Sequence, residues 1–194
     1  IWQPNEARIK SSNMWQFMQT INHKYDLQLH DYAALHDWSI THSEAFWSDW
    51  WDSTGIIANN KGETVLAQGE RMPGAIWFPT ARLNYAENLL KFRDQHTALI
   101  FCGEDGNRQS ICYADLYTRV AQCAGGLKRL QLQPGERVAG FMPNIIDTVV
   151  AMLATTSLGG VWSACSPDFG INGVLDRFGQ INPRILFTTD GYRY

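Results

Sequence analysis

The stretch Gly159-Gly-Val-Trp-Ser-Ala-Cys-Ser-Pro-Asp-Phe-Gly170 is a short apolar run that ends in a polar, sharply bent loop. A serine hydroxyl, an aspartate carboxylate and the N–H groups opening a following helix can together hold a polar or anionic ligand. Asp168 also has a plainer reading, as the cap of a helix beginning at Ile171. The other chemistry-bearing residues are less organised. Cys102, Cys112, Cys123 and Cys165 lie in apolar segments with no Cys-x-x-Cys spacing and no adjacent histidine, so they read as buried, reduced thiols. His36 and His42 straddle a helix break and do not share a face, which argues against a metal pair. The sequence holds no Gly-x-x-x-x-Gly-Lys-Ser/Thr phosphate loop, no Gly-x-Gly-x-x-Gly after a strand and no Gly-x-Ser-x-Gly elbow. No complete active site is written in it.

Stepping from those residues to the elements that position them, the chain divides in two. The first ninety residues are rich in tryptophan and short helix signals. Met14, Phe17, Met18, Ile21 and Tyr25 follow helical spacing after Ser11-Ser12, which can cap the first turn. Asp31 starts a second short helix through Leu35, and Thr41-His-Ser-Glu44 has the spacing of a capping box. Phe46, Trp47, Trp50 and Trp51 form a stripe that reads as packing and not as a ligand box. From Thr97 strands and helices alternate. Thr97–Cys102 and Arg108–Tyr113 flank Glu104-Asp-Gly-Asn107, a hairpin signal. A helix carrying Leu116, Val120, Cys123, Ala124, Leu127 and Leu130 follows, then a strand over Val138–Met142, a helix over Ile145–Leu158, a strand over Val161–Cys165, a helix over Ile171–Gln180 and a strand over Ile185–Thr189. The expected fold class is α/β: a helical N-terminal region, residues 1–95, followed in residues 96–194 by a doubly wound, mainly parallel sheet with helices on both faces. The Ser166–Gly170 loop then leaves a strand's carboxyl end, where open parallel sheets bind ligands.

Composition narrows the partners. With 194 residues, 45% hydrophobic and 12% aromatic, the chain suffices for one large domain or two small ones. A net charge of −3 with no Lys/Arg run argues against nucleic acid or a membrane surface as partner. No apolar run approaches the ~20 residues that span a bilayer, and the N-terminus lacks the layout of a secretory signal, so the expected location is the cytoplasm. The last residues, Asp190-Gly-Tyr-Arg-Tyr194, follow directly on a strand, and the expectation is a fragment whose outer sheet edge could promote self-association.

Several segments then carry a resemblance: Trp2-Gln-Pro, Leu35-His-Asp-Trp-Ser39, Phe46-Trp, Phe78-Pro-Thr-Ala-Arg-Leu-Asn-Tyr-Ala-Glu-Asn-Leu-Leu90, Ile111-Cys-Tyr-Ala-Asp-Leu116 and Val161–Gly170. In this order and spacing they resemble the N-terminal part of the acetoacetyl-CoA synthetase family, within the acyl-adenylating superfamily that includes acetyl-CoA synthetase. The resemblance implies an acid–thiol ligase that uses ATP, Mg²⁺ and CoA: acetoacetate + ATP + CoA gives acetoacetyl-CoA, AMP and diphosphate. It places the phosphate loop, the ribose-binding acid and the catalytic lysine downstream of Tyr194, so this chain alone is expected to be inactive. It implies CoA contacts at Ser166, Asp168, Phe169 and Arg193, and no catalytic or metal-binding residue here. Acetyl-CoA synthetases carry glycines where this chain has Pro167 and Asp168. Arg193 keeps a second reading, as an exposed terminal arginine. The competing class is a non-enzymatic α/β module that binds a nucleotide or a partner through its strand-end loops.

Overall fold

The computed structural model describes residues 2–191. It forms two compact units that divide between Leu83 and Asn84.

In the first unit, four helices are set off by short polar caps. Asn5 Oδ1 accepts from Arg8 N to open α1 (Glu6–Lys10), and Ser12 Oγ accepts from Trp15 N to open α2 (Asn13–Tyr25), as expected for that serine. Asp31 Oδ1 accepts from Ala34 N at the start of α3 (Tyr32–Thr41), which continues well past Leu35. The apolar spacing of α2 puts Phe17, Met18 and Ile21 in a core with Leu35 and Trp38. The capping box at Thr41 does not form. Thr41 is the last residue of α3, and its hydroxyl donates back to the Asp37 carbonyl at 2.7 Å. This local hydrogen bond competes with a cap, and α4 (Ser43–Thr54) starts at His42 with no side-chain cap.

The aromatic stripe of α4 packs ring on ring: Trp50 edge-on to Phe17 at 5.0 Å, Trp51 against Phe78 at 4.6 Å and Trp47 against Trp77 at 5.8 Å between centroids. Trp47 and Trp50 nevertheless remain 42% and 37% exposed, and the buried residue of α4 is Asp49. Its carboxylate accepts from the Tyr25 hydroxyl at 2.7 Å and pairs with Lys24. Two short antiparallel strands, β1 (Leu66–Ala67) and β2 (Ile76–Trp77), complete the unit's regular elements.

The second unit opens with α5 (Tyr85–Leu89), capped by Asn84, whose amide also donates to the Thr156 carbonyl at 3.1 Å. β3 (Thr97–Cys102) and β4 (Arg108–Cys112) form the expected antiparallel hairpin. α6 (Tyr113–Arg129), β5 (Arg137–Phe141), α7 (Ile146–Ser157), β6 (Val161–Cys165), α8 (Ile171–Ile181) and β7 (Ile185–Thr188) follow. Gly159, at φ 75°, takes the left-handed conformation that ends α7. The three strands pair in parallel in the order β6-β5-β7.

Side chains on the central strand alternate between two cores. Val138, fully buried, packs with Leu116, Val120 and Leu127 of α6 and Ile146, Val150 and Leu153 of α7. Ala139, also fully buried, faces the opposite way, onto Cys165 and Phe178 of α8. Helices therefore cover both faces, and the sheet is doubly wound. Because β6 and β7 flank β5 on opposite sides, the chain changes direction of winding there, and the carboxyl ends of β5 and β7 meet at the switch point.

Candidate functional site

A cleft of about 470 Å³ opens at the carboxyl end of the parallel sheet. Pro143, Asn144 and Ile145 follow β5, Ser166, Pro167 and Asp168 follow β6, and Gly191 follows β7. The opposite wall is the hairpin turn, from Phe101 through Asp105 and Asn107. That turn is closed by Gly103 N donating to the Asn107 carbonyl at 2.8 Å and by Asp105 Oδ1 accepting from Asn107 N at 3.0 Å. Sequence reasoning recognised the hairpin but missed that its tip reaches the cleft, because Asp-Gly marks a turn without saying what the turn faces.

Within the loop after β6, the Ser166 hydroxyl donates to Asp168 Oδ2 at 2.8 Å, and Asp168 N donates back to Ser166 Oγ at 3.3 Å. Phe169 N adds a hydrogen bond to the Ser166 carbonyl at 3.2 Å. The expectation that Asp168 caps the next helix is corrected: the cap of α8 is Gly170, and no side chain caps it. Asp168 lies two residues before the cap, beyond the reach of an N-cap side chain, and the nearby serine takes its carboxylate first.

Of the four sequence-predicted site residues, Ser166 and Asp168 come together in the cleft wall. Phe169 lies outside the residues lining it, with its ring under the Arg177 guanidinium at 4.0 Å. Arg193 lies outside the described residues. All four cysteines are free, as expected, but only Cys165 is buried; Cys102 is exposed on the outer end of β3 and lines the cleft. The strand is apolar in sequence, yet its last residue points out of the core, so the expectation of a buried thiol fails there.

The cleft's electrostatics are mixed. Two helices, α7 and α8, start beside it without side-chain caps, which leaves the partial positive charge of their first N–H groups available. Against this stand the carboxylates of Glu104, Asp105 and Asp168, and no Lys or Arg lines the cleft among the described residues. Among the described residues there is also no group of three His, Cys, Asp or Glu that could hold a metal ion. The arrangement suits a polar, extended ligand portion lying along backbone and loop, and does not suit a polyphosphate held by side chains.

Elsewhere, titrating groups serve structure. The Gln133 N–H and the Arg184 guanidinium hold the Glu136 carboxyl below its usual range, and burial raises the Cys123 thiol. In the first unit, hydrogen bonding to Asp49 raises Lys24, and burial followed by the Asp49 hydrogen bond raises Tyr25.

Comparison with known proteins agrees with this geometry. The family model described as AMP-binding enzyme matches residues 86–193, and the model of the acetyl-coenzyme A synthetase N-terminus matches residues 32–89. The chain is 44% identical over 192 residues to malonamoyl-CoA synthetase vrtB of Penicillium aethiopicum, covering 95% of this chain and 27% of that protein. It is 42% identical over 194 residues to acetoacetyl-coenzyme A synthetase of Rhizobium meliloti (strain 1021), covering 100% of this chain and 30% of the relative. The solved structure of acetoacetyl-CoA synthetase from Streptomyces lividans superposes with a TM-score of 0.89 at 41% identity, over 100% of this chain and 30% of that one. The chain thus spans less than a third of the length of these relatives. A doubly wound sheet with its cleft at the switch point and a family match over more than half of the residues lead to one conclusion: the chain belongs to the AMP-binding enzyme family.

Proposed function

We propose that this chain is the N-terminal part of a cytoplasmic acid–thiol ligase that activates acetoacetate with ATP and transfers the acyl group to CoA. The observation that carries the reading is similarity over the whole of this chain, at 42% identity, to the corresponding 30% of an acetoacetyl-CoA synthetase, together with the matching fold. In the complete protein, residues 1–95 form the acetyl-CoA synthetase-type N-terminal region and residues 96–194 the first α/β part of the adenylation domain. The acid's carboxylate oxygen bonds to the α-phosphorus of ATP and diphosphate leaves. The CoA sulfur then bonds to the acyl carbon and AMP leaves, while the thiol proton passes to solvent.

A second acid has support from a separate observation, the 44% identity to a malonamoyl-CoA synthetase. Acetoacetate and malonamate share a carbonyl β to the carboxylate and differ in methyl against amino, so the substrate class common to both is a short β-carbonyl acid. The charge developing in the adenylation step calls for Mg²⁺ and fixed cationic donors. The described residues do not fit that requirement, so the ATP and Mg²⁺ sites are assigned to the rest of the protein. The cleft at the strand ends is assigned to CoA, with Ser166 and Asp168 in its wall; Arg193, outside the described residues, is assigned to CoA on the resemblance alone. No helix among the described residues is long and apolar enough to cross a membrane, which is compatible with a cytoplasmic enzyme.

The test is diphosphate–ATP exchange by the full-length protein with acetoacetate, malonamate or acetate, followed by thioester formation with CoA. Exchange strongest with acetoacetate supports the reading, and exchange strongest with malonamate moves the assignment to that acid. Absence of exchange with any acid contradicts it and favours a non-enzymatic module. The 194-residue chain alone is expected to give no exchange.

A further inference from the structure

Gly173 and Arg177 stand one helical turn apart on α8, and Phe169, in the loop before the helix, meets them there. Arg177 is exposed, lies over the ring with its guanidinium carbon 4.0 Å from the centroid, and is tied down by Nη1 donating to the Gly173 carbonyl at 3.1 Å. Gly173 lies beneath this pair: a Cβ there would stand 3.3 Å from Arg177 Nη1, the far end of a flexible side chain, and at ordinary contact distance, 3.7 Å, from Phe169 Cβ and Cδ1. Two features, a cation over a ring and a hydrogen bond that fixes the cation, thus converge on one aromatic side chain. That side chain directly follows the residues in the cleft wall.

We propose that Arg177 is a positioning residue for CoA: it clamps Phe169 onto α8 and so fixes the Ser166–Asp168 wall of the cleft. The inference rests on the assignment of this cleft to CoA. It also gives Phe169 a role different from direct contact with the ligand, namely anchoring the loop that makes the contact.

The test uses the full-length enzyme, with the KM for CoA in thioester formation, kcat, diphosphate exchange and the unfolding midpoint measured for each variant. Arg177→Met keeps the aliphatic stem and removes the cation. It is expected to raise the KM for CoA about two- to fivefold, the range of a partly exposed cation–π contact. kcat and exchange stay unchanged, a split that general loss of structure would not give. Arg177→Lys places another cation over the ring and restores most of the affinity. In a Phe169→Leu background, which keeps apolar bulk without the ring face, Arg177→Met adds no further rise. A rise from Arg177→Met that is equally large in the Phe169→Leu background would overturn the proposal, since Arg177 would then act without the ring. So would a wild-type KM in every Arg177 variant while Ser166→Ala raises it, which leaves the CoA reading standing and removes only the clamp. If Ser166→Ala and Phe169→Leu also leave the KM for CoA unchanged, the CoA assignment itself has failed and the clamp falls with it.

Discussion

The two units solve the problem of burial differently. In the second, a central parallel strand is buried on both faces and the core around it is built of aliphatic and aromatic side chains, from Val138 and Leu127 to Phe178, with one polar exception, the fully buried Thr155 of α7. Polar groups there gather at the strand ends, where they line a cleft. In the first, four helices and a short two-stranded ribbon are held by ring-on-ring contacts, and a carboxylate, Asp49, lies inside with a tyrosine and a lysine as partners. Aliphatic packing leaves function to the rim, whereas the aromatic unit places a buried charge between α2 and α4, and the aliphatic core is expected to be the tighter of the two. Stability and ligand binding should therefore separate cleanly by position.

The largest expected effect is in the aliphatic core. Leu153→Ala, at a residue 2% exposed between α7 and its neighbours, should cost about 2–5 kcal/mol, read from urea unfolding. An effect below about 1 kcal/mol would show that this core can collapse around the gap and is not the tighter of the two.

Next comes Asp49→Asn, which leaves the Tyr25 hydroxyl and Lys24 poorly satisfied and should cost about 1–3 kcal/mol. This substitution also carries a pH signature. Lys24 titrates above its ordinary value of 10.5 because of its hydrogen bond to Asp49, against the opposing effect of burial, and Tyr25 above its ordinary 10.0 because of burial and then Asp49. Groups whose folded pKa is raised bind protons more tightly in the folded state, so their contribution is complete below about pH 10 and is lost as pH rises through the raised values. Wild-type stability should fall steeply above pH 10.5, and Asp49→Asn should flatten that fall. Equal alkaline slopes in the two proteins would show that the pair does not link charge to folding.

Smaller still is Trp50→Ala. A fully buried ring would cost about 3–5 kcal/mol, but Trp50 is 37% exposed, so the loss should lie below that range. Its T-shaped contact with Phe17 makes some loss certain to appear in thermal unfolding, and no change at all would mean that α4 is held by other groups. Smallest is Asp168→Ala, because Gly170 and not Asp168 caps α8. The unfolding midpoint should stay near wild type; a loss of about 1 kcal/mol would restore the capping role.

Much of the second unit was legible in the sequence for a physical reason. Strands β5, β6 and β7 are apolar runs bounded by Pro134-Gly135, Gly159-Gly160 and Asn182-Pro183, pairs that favour turns over continued strand. The spacing of α2 and the caps at Ser12 and Asp31 are local properties, and they too were readable. What the sequence hid depends on distance along the chain or on competition. Asp49 finds Lys24 and Tyr25 about two dozen residues earlier, and nothing local marks its burial. Thr41 had the spacing of a cap but spends its hydroxyl on α3. Asp168 likewise had an open choice between helix and turn, decided by the serine two residues before it. Of the site, the strand-end loop was readable and the hairpin wall was not, since a cleft is made by residues from Phe101 to Gly191 that only the fold brings together.

The central claim is that the loop after β6 serves the CoA half-reaction and not adenylation. Ser166→Ala in the full-length enzyme removes the 2.8 Å hydrogen bond that closes this loop, and the two half-reactions can be measured separately on the same preparation. The expected result is a KM for CoA raised about three- to tenfold, the scale of one hydrogen bond, with diphosphate exchange at the wild-type rate. Loss of exchange with the KM for CoA unchanged would place the loop in the adenylation site and contradict the account.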